Sequence, residues 1–267
     1  MIKLVITDMD GTFLNRQGDF NRPLFKEVKE LMNQTNVVFA PCTGKQCERI
    51  EELFGVEEAK DFWILGDSAT RIKHEGEYVY QSLIKNELGQ KIIQRLEEIS
   101  REHIIIACTP KAAYVRTDLD EAGLKMVKGS YAKVIQIDDL TAITDDFVKI
   151  TIYDEKLRCF KTREELSQFF DQAYIVASEA AWIDISNIGV HKGTTVAKLQ
   201  ELLNVTPEET MVFGDGLNDV ELMERGAFSF AMRDGFEETK EAANYIIRTN
   251  EEDSVMQTIL QILNLQK

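Results

Sequence analysis

Two rhythms of apolar residues alternate along the chain. Short runs with almost no polar interruption, at residues 2–7 (IKLVIT), 36–40 (NVVFA), 62–65 (FWIL), 211–213, 229–232 and 245–247, read as buried strands. Between them, residues 23–33, 45–54, 194–203, 217–224 and 237–243 read as helices. In the first of these, Leu24, Phe25, Val28, Leu31 and Met32 fall on one face. Strands without an alternating polar face, separated by helices, predict a doubly wound parallel sheet covered on both sides.

From residue 82 to residue 186 the pattern changes. A helix at 88–100 is followed by strands at 104–108, 113–116, 133–137 and 147–153, a second helix, and short strands at 175–177 and 182–185. The second helix is predicted to open at Thr162, because Glu165 lies three residues on in a capping-box spacing. Phe169 and Phe170 are expected in the core of this block. It reads as an α+β domain, residues 83–187, inserted into an α/β domain made of residues 1–82 and 188–267. The two crossings are placed at residues 82–85 and 187–189, and 267 residues suffice for two cores of ordinary size.

In an open parallel sheet the binding crevice lies beyond the carboxyl ends of the strands. The first strand ends in Asp8-Met9-Asp10-Gly11-Thr12, the second in Pro41-Cys42-Thr43-Gly44-Lys45, and the strand at 211–213 in Gly214-Asp215-Gly216-Leu217-Asn218-Asp219. The helix after Lys192-Gly193-Thr194 adds a cation. Asp8 and Asp10 stand at i and i+2, so an extended backbone aims both carboxylates the same way, and Gly11 lets the chain turn away. With Asp215 they form an all-oxygen donor set free of His and Cys, which suits Mg²⁺.

Charge sharpens that reading. Against 46 acidic residues stand 31 basic ones, a formal net charge of −15 that repels nucleic acid and anionic membranes. No run approaches membrane-spanning length and the first fifteen residues do not make a secretory signal, so a soluble cytoplasmic protein is expected. Cys42, Cys47, Cys108 and Cys159 form no C-x-x-C pair and only three histidines are present, which argues against zinc and disulfides. An anionic substrate therefore needs a metal ion, a lysine and backbone N–H groups to reverse the field locally.

Each cluster also has a plainer reading. Asp-x-Asp-Gly after a strand is often a turn, Thr43-Gly44 a helix cap, and Lys192 a surface lysine. A calcium loop counted from Asp8 fails, since Phe13 occupies the glycine position. A dinucleotide loop at Gly214-x-Gly216 lacks its third glycine, because Asp219 stands there, and the chain has no G-x-x-x-x-G-K-[ST] loop. The joint occurrence of the clusters, in one order and each at a strand end or helix start, is what makes them specific.

In that order they resemble the four motifs of the haloacid dehalogenase (HAD) superfamily of phosphatases, and the inserted domain resembles the α+β cap of its Cof-like branch, type IIB. The resemblance covers the whole chain. It implies a HAD-like Rossmann-like core, with Asp8 as the nucleophile that becomes an aspartyl-phosphate and Asp10 as general acid and then base. It further implies Mg²⁺ on Asp8, Asp215 and the main-chain carbonyl of Asp10. Thr43, Gly44, Lys192 and Asn218 are implied to bind the phosphoryl oxygens, and Asp219 to orient Lys192 or metal-bound water.

The implied reaction is hydrolysis of small phosphomonoesters, sugar phosphates or phosphorylated cofactors, by a monomer or weak homo-oligomer. A phosphomutase or phosphotransferase would use the same aspartyl-phosphate, and a non-catalytic phospholigand-binding protein the same fold. Two departures from the family pattern stand at the rim: Lys45 in place of the usual arginine, and Gly66-Asp67-Ser68-Ala69 in place of Asn-Gly-Ala. Cys42 reads as a buried inert thiol. In the cap, Arg116, Lys125, Lys128 and Trp182 are candidate substrate contacts that read equally well as surface or core.

Overall fold

The computed structural model describes residues 1–266. The chain begins β1 (Leu4–Thr7), α1 (Arg22–Gln34), β2 (Val38–Pro41), α2 (Cys47–Phe54), α3 (Val56–Ala59), then β3 (Ile64–Gly66), β4 (Arg71–His74) and β5 (Glu77–Gln81). It continues with α4 (Asn86–Ile99), β6 (Ile104–Cys108), β7 (Ala113–Arg116), α5 (Glu121–Ser130), β8 (Val134–Ile137), β9 (Lys149–Tyr153), α6 (Cys159–Glu165), β10 (Ala173–Glu179) and β11 (Trp182–Asn187). Last come α7 (Lys192–Leu203), β12 (Thr210–Gly214), α8 (Val220–Met223), β13 (Phe228–Met232), α9 (Glu237–Ala242), β14 (Tyr245–Ile247) and α10 (Ser254–Asn264).

Five strands make the parallel sheet, in the order β14-β13-β12-β1-β2. β1 is buried along its whole length, and its pleat sends Leu4 and Ile6 to one face and Val5 to the other. On the Val5 side lie α1, α10 and a phenylalanine cluster of Phe13, Phe20, Phe25, Phe39, Phe54 and Phe62. On the Leu4 side lie Val196 and Leu199 of α7 and Leu222 and Met223 of α8. Thr7 is level with Pro41 and with Phe213, so β1, β2 and β12 end side by side. That register brings the three polar clusters to one edge.

The strand expected at residues 62–65 is not a member of this sheet. Ile64–Gly66 forms a three-stranded antiparallel sheet with β4 and β5, and it runs alongside β2 through the Trp63 N–H to the Phe39 carbonyl, the Thr43 N–H to the Leu65 carbonyl and a parallel bridge between Leu65 and Cys42. The reason is a tight hairpin: Glu75 and Gly76 both have positive φ (51° and 82°) and fold β5 back on β4. The helix expected to open at Thr162 opens earlier, at Cys159, with Arg158 at its N-cap. Thr162 is buried inside it with its hydroxyl toward His103 Nε2, so the capping-box spacing there is not used.

The second large sheet has the order β10-β11-β9-β6-β7-β8, antiparallel except between β7 and β8. Ile105, Ala107, Ile150, Ile152, Ile183 and Ile185 face α4 and α6, and Phe169 joins them, with Phe170 packed against the cluster. The opposite face carries polar Lys149, Thr151 and Asp184, all buried. The chain passes between the two sheets twice, and there the Asn187 amide donates to Ser82 Oγ at 3.0 Å. Among the described residues no helix is long and apolar enough to cross a membrane.

Candidate active site

Asp8 leaves the end of β1 with its N–H bonded to the Phe213 carbonyl. The backbone then curls rather than extends, because the Met9 carbonyl accepts the N–H groups of Thr12, Phe13 and Leu14. Asp8 and Asp10 therefore line one cleft without sharing a cluster: the Asp8 carboxylate is buried, whereas that of Asp10 is exposed at the mouth. Both Asp10 oxygens accept from Lys45 Nζ, at 2.6 and 2.7 Å. Gly11 has φ 79°, and a Cβ there would lie 2.5 Å from Asp215 Oδ2, so only glycine lets the turn close over that carboxylate.

Behind the turn, Asp8, Asp215 and Asp219 hold carboxylate oxygens within 4.8 Å of one another. Lys192, in the first turn of α7, reaches Asp8 Oδ1 and Asp219 Oδ1, each at 2.5 Å, and is buried. Burial works against its charge, but Asp219 and Asp8 outweigh it and hold the ammonium well above its ordinary value. Asp219 Oδ2 accepts the N–H groups of Asp215 and Gly216, both at 3.0 Å, so both its oxygens are taken by protein donors. Gly214 is required beneath it, since a Cβ would sit 2.6 Å from that of Asp219.

Asp215 accepts from Thr12 Oγ1 at 2.5 Å. Burial and the neighbouring Asp219 charge push its carboxyl up to about 7. Burial also raises Asp8, which Lys192 opposes and Asp219 and Asp215 reinforce. Three carboxylates with one amine are thus short of positive charge, and an oxygen-only set of this kind fits a hard divalent cation such as Mg²⁺. The donors free to hold it are Asp8 and Asp215.

After β2, Thr43 is buried; its hydroxyl accepts the Lys45 N–H at 3.1 Å, and its carbonyl accepts the Ser68 N–H at 2.9 Å. Gly44 lines the cleft, as does half-buried Asn218. Cys42 is buried and its thiol is pushed up to about 12 by burial, in keeping with an inert group. All four cysteines are free.

The second sheet supplies the other wall of a cleft of about 440 Å³. Lys149 Nζ donates to the Gly44 carbonyl at 2.8 Å, to Ser68 Oγ at 3.0 Å and to Asp184 at 3.1 Å. Tyr131, Glu179 and Trp182 line the same wall. Of the four candidates in this region, only Trp182 lines the cleft; Arg116 is turned to Asp118 and the Arg101 carbonyl. Lys149, Asp184, Glu179 and Thr12 were not singled out from sequence. The signal for Lys149 and Asp184 lies in KITIY and WIDIS, whose alternation leaves polar side chains on a face that is buried.

A family description, haloacid dehalogenase-like hydrolase, matches residues 5–259. The chain belongs to this family of hydrolases. It is 27% identical over 266 residues to an Escherichia coli 5-amino-6-(5-phospho-D-ribitylamino)uracil phosphatase, covering 98% of this chain and 96% of that protein. Its fold matches a crystal structure of a Streptococcus mutans protein with a TM-score of 0.93, at 24% identity over 99% of this chain and 100% of the other. A subclass IIB sugar phosphatase of the superfamily superposes with a TM-score of 0.83, at 18% identity over 97% and 98% of the two chains. The last two likenesses concern the fold.

Proposed function

We propose that the protein is a Mg²⁺-dependent phosphatase that hydrolyses small phosphomonoesters through an aspartyl-phosphate on Asp8. The observation that carries this reading is the buried group of Asp8, Asp215, Asp219 and Lys192 at the adjoining ends of two parallel strands and one helix. Residues 83–187 form the cap in this reading, and it acts in the cytoplasm as a monomer or weak homo-oligomer.

Asp8 and Asp215, with the Asp10 carbonyl, would hold the metal, which supplies charge neutralisation for the phosphoryl group. Lys192, the Thr43 hydroxyl, the Gly44 N–H and the Asn218 amide bind the remaining phosphoryl oxygens. An Asp8 oxygen attacks phosphorus while the bond to the leaving oxygen breaks, and protonated Asp10 gives its proton to that oxygen, releasing an alcohol. Water then attacks the phosphorus and passes its proton to Asp10, which frees inorganic phosphate and restores the Asp8 carboxylate. Asp219 fixes Lys192 and the loop around Asp215.

The names of the relatives support phosphoester hydrolysis, and the ribityl substrate in one of them falls within the proposed class. A panel of sugar phosphates, flavin mononucleotide, pyridoxal phosphate and p-nitrophenyl phosphate tests the reading by release of inorganic phosphate. Release that needs Mg²⁺ and stops with a chelator is the expected result. Full activity in chelator, or isomerised sugar phosphate without free phosphate, would overturn it.

A further inference from the structure

Glu179 sits where a regular strand would not put it. Successive side chains of a strand point to opposite faces, yet Ser178 and Glu179 both line the cleft. The register between β10 and β11 slips at this place: Ala177 is level with Ile183 and Glu179 with Trp182, leaving Ser178 as an extra residue. A bulge of this kind re-aims a side chain, and here it turns a carboxylate into the cleft beside the mouth held by Asp10.

The charges around the cleft do not balance. Asp8, Asp10, Glu179, Asp184, Asp215 and Asp219 line it, against Lys45 and Lys149. Both amines are committed, Lys45 to Asp10 and Lys149 to Asp184 and the Gly44 carbonyl, while Lys192 beneath is held by Asp8 and Asp219. A divalent cation at Asp8 and Asp215 would be spent on those carboxylates and on the substrate's phosphate. Glu179 has no cation partner among the described residues, and desolvation together with the Asp10 charge raises its carboxyl above the ordinary range. Beside it stand the Trp182 ring and the Ser178 hydroxyl, with Phe236 from the other side.

We propose that this half of the cleft takes an uncharged, hydroxyl-bearing leaving group and turns away anionic ones, with Glu179 as the residue that discriminates. Hydroxyls of a polyol or sugar can donate to Glu179 and exchange bonds with Ser178, while Trp182 and Phe236 cover its carbon face. A carboxylate or second phosphate on the leaving group would meet the Glu179 carboxylate, while Lys45 and Lys149 are already paired. This inference rests on the phosphatase reading, and it needs a test that separates the two.

Sorbitol phosphate and phosphogluconate carry phosphate at one end of a six-carbon chain and differ at the other in an alcohol against a carboxylate. Each is measured as a competitor of p-nitrophenyl phosphate hydrolysis by the full-length protein with Mg²⁺. The inhibition constant of the anionic competitor should be higher by about tenfold, and Glu179→Gln should bring the two within about twofold, chiefly by tightening the anionic one. Raising ionic strength should narrow the gap in the wild type. Equal constants in the wild type, a ratio unchanged in Glu179→Gln, or no competition by either compound overturns the inference and leaves the phosphatase reading standing. Absence of p-nitrophenyl phosphate turnover overturns both.

Discussion

In the proposed reading Asp215 would couple metal, proton and fold. With its carboxyl pushed up to about 7 by burial and Asp219, it remains partly protonated at neutral pH when no cation is bound. A raised acid stabilises the fold while protonated, so that contribution is complete below the ordinary carboxylate range and is lost as pH rises toward 7 and beyond. A cation that binds the ionised form must expel the proton. Mg²⁺ affinity should therefore fall roughly tenfold per pH unit below about 7 and level off above it. Calorimetric titration between about pH 6 and pH 8 checks this, with proton release measured from the buffer dependence of the heat. An affinity flat across that range would contradict the assignment of Asp215 as a ligand.

Among the elements, the connection from β3 to β4 does more than turn the chain. Asp67, Ser68 and Ala69 all have positive φ, at 55°, 60° and 60°, a conformation that costs non-glycine residues about 1–2 kcal/mol each. Four contacts hold it: the buried Asp67–Arg71 ion pair at 2.8 Å, the Asp67 N–H to the Lys45 carbonyl, the Ser68 N–H to the Thr43 carbonyl, and Thr195 Oγ1 to the Ala69 carbonyl at 2.6 Å. This stretch ties the loop after β2 to α7, which carries Lys192. Lys149 of β9 then clamps Ser68 and the Gly44 carbonyl from the other sheet. Lys149→Met leaves Asp184 buried without its cation and should cost about 3–5 kcal/mol in chemical denaturation. The double variant Lys149→Met/Asp184→Leu should recover most of that stability while inorganic phosphate still inhibits more weakly than in the wild type. Recovery of both together would mean that the clamp does not position the Gly44 loop.

At the scale of the whole molecule, the proposed reaction asks an anionic protein to bind an anion; the site offers one amine buried between two carboxylates rather than a basic surface, so a bound cation would have to supply the balance. Much of this was legible in the residue pattern. The three strand ends and Lys192 could be placed together because uninterrupted apolar strands between helices imply one sheet and one edge. The β4–β5 hairpin was missed because its Glu75-Gly76 turn lies within a polar stretch, so the strand at 62–65 was read without the antiparallel partners it pairs with while lying beside β2. The polar face of β9 and β11 shows in their alternation, but that it is buried was not legible, because what buries it is another part of the chain. The pairing of Asp10 with Lys45 escaped for a related reason: the backbone curl at Met9 sends Asp10 away from Asp8, and nothing in the spacing of the two aspartates shows it.

The central claim is that Asp8 carries the phosphoryl group between two displacements. With p-nitrophenyl phosphate, whose leaving group departs without an acid, Asp10→Asn should slow only the second displacement, which needs a base, and let the intermediate accumulate. Rapid acid quench of this variant with substrate and Mg²⁺, followed by peptide mass analysis, reads the claim directly. The account predicts a phosphoryl group on the peptide containing Asp8, removed by hydroxylamine and absent from Asp8→Asn. Product release without any phosphorylated peptide, or phosphate on a residue other than Asp8, would contradict it.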